Sequence, residues 1–551
     1  MSRFVRQSAY RHVFGKEWKE NYGNVKTSNL AFDTDLVKAS PKYLSVNWQA
    51  SGGGAFCVIP LERTGKLPDL FPLVRAHTAP VLDTAWSPFD DALVASSGED
   101  GRVAITRVDD TVFDMAYASD GHDIRDLEPI SGNKMGHGRK AGQVLFHPTA
   151  NNVLGSASYE VKLWDVESMQ CRVEMEKQPD IVQNMDFDWT GSNLATTCKD
   201  KKLRLFDTRK GGAPHTLADS HSGVKGSRVC WMGDLDRICT TGFSKMSDRQ
   251  IFIWDTRNMS KPSKQVVVDT SSGTLMPFFS VGNNILFFAG KGDGNVRYYE
   301  YEGDDLFPLS EYKSSEPQRG MTFMPARALN THECEIARAY KVTTHAIDPI
   351  SFIVPRKSDA FQSDIYPPAP SGEPALSAED FFSGKTAAPL LVNMDDQSKA
   401  PIQPVRKSTA PPSAAPSPTH SRAPTSTTSA EPPKPASTPI HPASSISEVG
   451  GTSSSLPSLQ TPSSVPATPS SSTPQTPITK GSSSSFTAPK ENGSTATSNG
   501  SGSQEAESLK KENAKLKEEL SERDHLIRKL ELQVETLQAN AKIAREALSK
   551  F

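Results

Sequence analysis

The chain has 551 residues, with 61 Lys and Arg against 64 Asp and Glu, a net charge of −3 and 36% hydrophobic residues. That length accommodates roughly two to four domains, and near-neutrality excludes the overall basic footprint of a nucleic-acid-binding protein. No run approaches the roughly 18 apolar residues of a membrane span, the charged start MSRFVRQSAYRHVFGKEW has no apolar signal core, and six cysteines without a C-x-x-C pair read as reduced thiols of a cytosolic protein, not disulfides or zinc ligands.

Residues 1–26 carry Arg3, Arg6, Arg11, Lys16, Lys19 and Lys26 against Glu17 and Glu20. The surplus is either a solvated arm or a contact for an acidic partner. Arg11 to Gly15, RHVFG, reads as a short strand that closes a ring by pairing with the far end of the domain, leaving no bare sheet edge. Tyr43 to Leu61 reads as two strands around Gly52-Gly53-Gly54; without a following helix or a Gly-Lys-Ser/Thr, the triplet is a tight turn, not a phosphate cradle.

A repeat then begins. Gly136 to Asp165 opens on Gly-His, runs through Val144-Leu145-Phe146 and closes on Trp164-Asp165, the pattern of a WD-repeat blade. Matching endings fall at Val103–Thr106, Leu203–Asp207, Ile251–Asp255 and Val296–Glu300. From Thr106 through Trp164, Phe206, Trp254 and Tyr299 the steps are 58, 42, 48 and 45 residues, against about 40–45 for a blade. The long step holds a charged insertion near Asp109 to Gly132. A turn aspartate sits six residues before each ending, at Asp100, Asp200, Asp248 and Asp293; only the blade ending at Trp164 departs, with Ser158 there. With strand material before the five units and at Leu306 to Val354, seven blades are counted, six being the alternative. The propeller is expected over residues 1–348.

His77, His137 and His221 lie near blade starts. With Ser97, Thr241 and the turn aspartates they could be mistaken for hydrolytic triads. A nucleophile is needed once, whereas this constellation recurs blade after blade, so it reads as structural. No catalytic, metal or cofactor site is expected, and the chain reads as a non-enzyme.

Residues 349–400 are expected to dock on the propeller as an extended arm, with Phe361 and Tyr366 as anchors and a short helix at Leu376 to Phe382. Residues 401–502 are Pro, Ser, Thr and Ala with few large apolar side chains, the composition of a disordered linker. Pro401-Ile-Gln-Pro404-Val-Arg406 has the form of a ligand for polyproline-binding domains, or is a chance match in a Pro-rich tract. Ser417, Thr438, Thr461, Thr468 and Thr476 each precede Pro and are candidate phosphorylation sites. Sparse Lys and Arg in the linker leave microtubules open as a partner.

Residues 503–551 regain heptad periodicity. Asn513, Leu520, Ile527, Val534 and Leu548 occupy a positions; Leu509, Leu516, Leu530 and Leu537 occupy d positions. The seam predicts an oligomerising coiled coil about 65 Å long. β-Branched a and Leu d residues, with Asn513 at a, favour two strands.

The stretches RHVFG (11–15), ASGGGAF (50–56), HTAPVLD (77–83), TTGFSKMSDRQ (240–250), DTSSGTLMPFF (269–279), QRGMTFMP (318–325), CEIARAY (334–340) and VPRKSD (354–359) resemble the coronin family, in a short conventional form with a long fungal-type linker. The resemblance covers about the first 390 residues. It implies an all-β, seven-bladed propeller with a docked C-terminal extension, a cytoplasmic place in the cortical actin cytoskeleton, and binding to actin filaments. Through the tail it implies self-association and influence on the branched-actin nucleating Arp complex. It places Lys26, after Tyr22-Gly-Asn-Val25, at the family's actin-contacting basic position, where relatives often have Arg; lysine keeps the charge but lacks the planar fork. Arg6 and Arg11 join it as candidate contacts, and Ser2 matches a regulatory phosphorylation position. Relatives commonly form trimers through a coil motif that Ile527, Leu530 and Glu531 fit but Leu526, in place of Arg, does not; dimer and trimer both stay open. The rival reading is a trafficking or signalling scaffold that binds phosphopeptides or phosphoinositides in a basic pocket at the propeller's centre.

Overall fold

The computed structural model describes residues 6–31, 34–118, 124–358 and 360–395, together with Ala514, Lys517, Glu518 and Ser521, whose backbone is helical. Ser2, the segment Pro401–Arg406, Ser417, Thr438, Thr461, Thr468 and Thr476 lie outside the described residues. So do the seam positions Leu509, Asn513, Leu516, Leu520, Ile527, Leu530, Val534, Leu537 and Leu548.

Among the described residues seven sheets form blades, antiparallel but for one parallel pair in the seventh, and an eighth, two-stranded sheet pairs Ala369–Pro370 with Leu391–Val392. Blade 1 is built from Val37–Ala39, Tyr43–Asn47, Phe56–Pro60 and Leu73–Val74; blade 2 from Val81–Trp86, Leu93–Gly98, Arg102–Arg107 and Met135–Gly136. Blade 3 comprises Gln143–Phe146, Val153–Ala157, Val161–Asp165 and Gln170–Glu174, and blade 4 comprises Val182–Phe187, Asn193–Cys198, Lys202–Asp207 and Thr216–Asp219. Blades 5 and 6 run from Arg228–Trp231 to Lys264–Asp269 and from Leu275–Ser280 to Asp305–Lys313. Blade 7 takes Gly320–Phe323, Glu335–Val342 and Ala346–Ile353 from the end of the ring. The first strands of blades 1 to 6 lie side by side in turn, Phe278 of blade 6 meets Phe323 of blade 7 with ring centroids 4.9 Å apart, and Gly320–Phe323 lies beside Val37–Ala39, so the ring closes. The repeated endings read from the sequence are the third strands of blades 2 to 6.

The chain's start completes blade 7. Phe14–Glu17 pairs antiparallel with Ile350–Ile353, and Tyr22–Gly23 pairs with the other end of the same strand and, in parallel, with Gly65–Lys66. The strand Ala346–Ile353 continues through residue 349, where the extension was expected to begin.

Each blade buries side chains against its neighbours. Leu154 and Trp164 of blade 3 pack with Ala95 and Ile105 of blade 2, and Val161 and Leu163 of blade 3 pack with Met185 and Phe187 of blade 4. Each fully buried Leu, Ile or Val contributes about 1.5–3 kcal/mol, which a single blade exposed on both faces cannot collect. Gly52, Gly53 and Gly54 take φ of 82°, 69° and 76°, and a Cβ on Gly54 would lie 2.0 Å from the His77 carbonyl oxygen. The triplet is therefore a turn that only glycine fits.

The charged insertion folds into the helix Thr111–Ala118, which buries Phe113 against Phe71 with ring centroids 6.0 Å apart. Beyond Val354 the chain crosses from blade 7, where the Tyr366 hydroxyl donates to the Glu335 carbonyl (3.1 Å), to blade 3. There the Ala375 amide donates to the Thr149 carbonyl (2.9 Å), and the helix Ala378–Phe382, capped by Ser377, seats Phe381 4.3 Å from the His147 ring. Phe361, expected as an anchor, is exposed and stacks only on Tyr366.

Candidate functional site

The recurrent polar constellation is a set of struts. In blade 3, His137 Nε2 lies 2.6 Å from Ser156 Oγ, Trp164 Nε1 donates to the same oxygen (2.7 Å), and His137 Nδ1 lies 2.9 Å from Glu160. Blade 5 repeats it with His221, Thr240 and Trp254 at 3.0 and 2.9 Å, and blade 2 with His77, Ser96 and Asp100 at 2.9 and 3.1 Å. Burial lowers the pKa of His137 and brings that of His221 down to about 4, so both imidazoles are neutral near pH 7.

Two details differ from the sequence reading. The hydroxyl partners are Ser96 and Thr240, not Ser97 and Thr241; side chains alternate across a strand, so the next residue faces the other side, and Thr241 Oγ1 donates to the Leu275 carbonyl (2.7 Å). In the blade that lacks the turn aspartate, Glu160 supplies the carboxylate two positions after Ser158. In blade 4, Arg204 grips Asp200 while Gln178 takes the place of histidine against Thr196. These side chains hold strands together.

The N-terminal basic residues have separate fates. Arg6 contacts Glu302 (2.8 Å) and Glu300 (2.6 Å) and lies 4.3 Å over the Phe307 ring, so its charge is neutralised within blade 6. Arg11 is exposed on the arm that enters blade 7. Lys26 is exposed where the chain enters blade 1, and Tyr22-Gly-Asn-Val25 fixes it there. Tyr22 and Val25 are each 1% exposed, and the Tyr22 hydroxyl donates to the Leu61 carbonyl (2.7 Å). Asn24, at φ 62°, donates to the Leu67 carbonyl and to Asp69, both at 2.9 Å. The Lys26 carbonyl accepts from the Gln49 amide (2.7 Å), while its ammonium only grazes the Asp69 carbonyl at 3.5 Å.

Around Lys26, the exposed Lys66 lies 3.9 Å from Asp69, and Leu30 and Leu70 are each 63% exposed. Arg319 donates to the Ser28 carbonyl (2.9 Å) and to Asn29 (2.7 Å), stiffening the loop that follows. The result is a rigid, weakly basic surface with apolar points, suited to an acidic macromolecular face. The cavity at the propeller's centre is lined by charges of both signs, Lys38, Arg228 and Arg327 together with Asp35 and Asp186. Among the described residues no helix is long and apolar enough to cross a membrane.

Such a ring, with recurring struts built on histidine in three blades and joined by tryptophan in two of them, defines a WD-repeat β-propeller protein. Matching family models are the domain of unknown function DUF1899 over residues 3–66, the WD domain, G-beta repeat, over 70–105, and a type of WD40 repeat over 347–389. The coronin-like protein crn1 of Schizosaccharomyces pombe is 49% identical over 417 residues, 74% of this chain and 68% of the relative. The coronin-like protein of Saccharomyces cerevisiae is 47% identical, over 74% of this chain and 65% of the relative. Coronin-A of Dictyostelium discoideum is 44% identical, over 72% of this chain and 87% of the relative. The crystal structure of the WD40 domain of a Toxoplasma gondii coronin superposes with a TM-score of 0.64 at 31% identity, covering 69% of this chain and 97% of that one. The chain belongs to the coronin family.

Proposed function

We propose that this chain binds actin filaments through the exposed basic surface that includes Lys26 and Arg11, and cross-links them by joining several propellers through residues 503–551. The observation that carries the reading is the rigid presentation of Lys26 by buried Tyr22 and Val25. The Lys26 backbone is already fixed and its ammonium gives up no strong internal partner, so only the side chain's own rotamer freedom is lost when an acidic partner arrives. Arg6 is withdrawn from this surface by its glutamates and acts as a tether of the arm. One propeller binds weakly; tethering two or three raises the local concentration of heads and so the avidity. Action on the branched-actin nucleating Arp complex, and a place in the cortical cytoskeleton, belong to the same reading.

The test compares the full chain with residues 1–502 on actin filaments. High-speed pelleting should show both binding; low-speed pelleting should show bundles only with the full chain. Equal bundling by the shortened chain would remove the tail from the mechanism.

A further inference from the structure

The propeller's centre holds a cavity of about 560 Å³. Trp86, Trp189, Phe279 and Pro325 line it at or just past the far ends of the inner strands, and the C-terminal extension adds Pro370 and Pro389. This end is apolar. Arg228 lines the same cavity from the start of blade 5's inner strand, at the opposite end of the wall.

Several polar groups of that wall have partners. Lys38 and Asp35 pair at 2.6 Å. Asn184 accepts from the Val229 amide (2.8 Å) and donates to Gln143 (3.2 Å), and Asp186 accepts from the Trp231 amide (2.6 Å). Arg228 is 7% exposed and its Nη2 is buried without a hydrogen-bond partner; the Asp35 and Asp83 carboxylates act on its charge through space, with no hydrogen bond or contact ion pair to it among the described residues. A buried guanidinium nitrogen left without a hydrogen-bond partner is costly, and a planar fork of this kind matches a carboxylate.

We propose that this cavity binds a carboxylate carried on an apolar body, with Arg228 as its anion partner and the tryptophan, phenylalanine and proline end covering the apolar part. The volume lies in the range of small-ligand sites. Asp35 and Asp186 on the same wall disfavour a dianion, which selects a singly charged carboxylate over a phosphate. Two sources share this chemistry: a free aromatic or aliphatic acid, and an acidic residue within an apolar peptide. The site is independent of the basic surface around Lys26.

The test titrates the full chain with 4-phenylbutyrate and with the neutral 4-phenylbutan-1-ol, read by calorimetry and by tryptophan emission. A second pair of probes is the capped peptide acetyl-Pro-Leu-Glu-Leu-Pro-amide and its Gln counterpart. The acid should bind at least about tenfold more tightly than the alcohol, as a charge-assisted bond implies. Arg228→Met should abolish that preference; Tm is read alongside, since the variant also withdraws a cation from the nearby Asp35 and Asp83. A Glu-over-Gln preference points to a peptide; a preference confined to the free acid points to a small molecule. No binding of any probe at millimolar concentration, equal affinity for acid and alcohol together with equal affinity for the two peptides, or a preference surviving Arg228→Met would each overturn the proposal. If Arg228→Met fails to fold, Arg228→Lys is read instead: it should weaken acid binding several-fold, and unchanged affinity would be equally fatal.

Discussion

Phe14 lies directly opposite Ile353 in an antiparallel pair, so a residue from the start of the chain completes the last strand of the seventh blade. The ring is thereby latched by its two ends, and no edge of blade 7 is left free at that position.

The latch makes a stability prediction at Gly15. A Cβ there would lie 2.8 Å from Tyr312 Cδ2, and the Tyr312 hydroxyl is held by Glu17 (2.7 Å). Gly15→Val should therefore cost about 1–3 kcal/mol, the usual cost of overpacking, and lower Tm by several degrees in a calorimetric scan. A variant melting with the wild type would show that the arm does not latch the ring.

Arg249 joins blades 5 and 6. It is 1% exposed and contacts Asp269 (2.6 Å) and Asp293 (2.7 Å). Arg249→Met leaves Asp293 without this cation and Asp269 with Arg297 alone (2.8 Å); breaking a fully buried pair costs about 3–5 kcal/mol, and the remaining partner puts this loss at the lower end. Urea unfolding measures it, and adding Asp293→Asn should recover part of the loss. The hydrogen bonds from Arg249 bring the Asp269 pKa down to about 2. A carboxylate with a lowered folded pKa stabilises above its unfolded value near 4 and loses that contribution as pH falls through about 2. Wild type should show this acid loss, and Arg249→Met should show much less of it.

Asp186 carries the opposite sign. Burial pushes its pKa up to about 7. Its contribution is fully present below the unfolded value near 4 and is lost as pH rises toward 7. Asp186→Asn lacks that loss, so its stability relative to wild type should climb between pH 4 and 7. Because the carboxylate borders the open central cavity, solvent screening reduces the effect to about 1–3 kcal/mol. Denaturant midpoints at pH 4.5 and 7.5 measure it; a constant difference between the two proteins would contradict the assignment.

The blades were legible because their third strands repeat a local pattern of alternating apolar residues ending in an aromatic, preceded by a turn aspartate. What stayed hidden was non-local. Arg6 meets Glu300 across 294 positions, and no local pattern marks a basic residue as already paired. The parallel pairing of Tyr22–Gly23 with Gly65–Lys66 joins two short segments without a strand signal of their own. The helix at Thr111–Ala118 was masked by the flanking charges, although Val112, Phe113 and Ala116 already had helical spacing. At the candidate surface, the family resemblance points to Lys26, and the structure adds that buried Tyr22 and Val25 precede it and leave it exposed. Arg228 carried no sequence signal, since only the folded ring brings it to the cavity.

The most direct measurement is pelleting of actin filaments with the full chain, Lys26→Glu and Arg6→Gln across a salt series. Wild type should bind in dilute buffer and weaken as salt rises; Lys26→Glu should lose about tenfold or more at low salt, while Arg6→Gln should lower Tm yet bind nearly as wild type. Wild type that ignores filaments at every salt concentration, or Lys26→Glu binding as tightly as wild type in dilute buffer, would contradict the account.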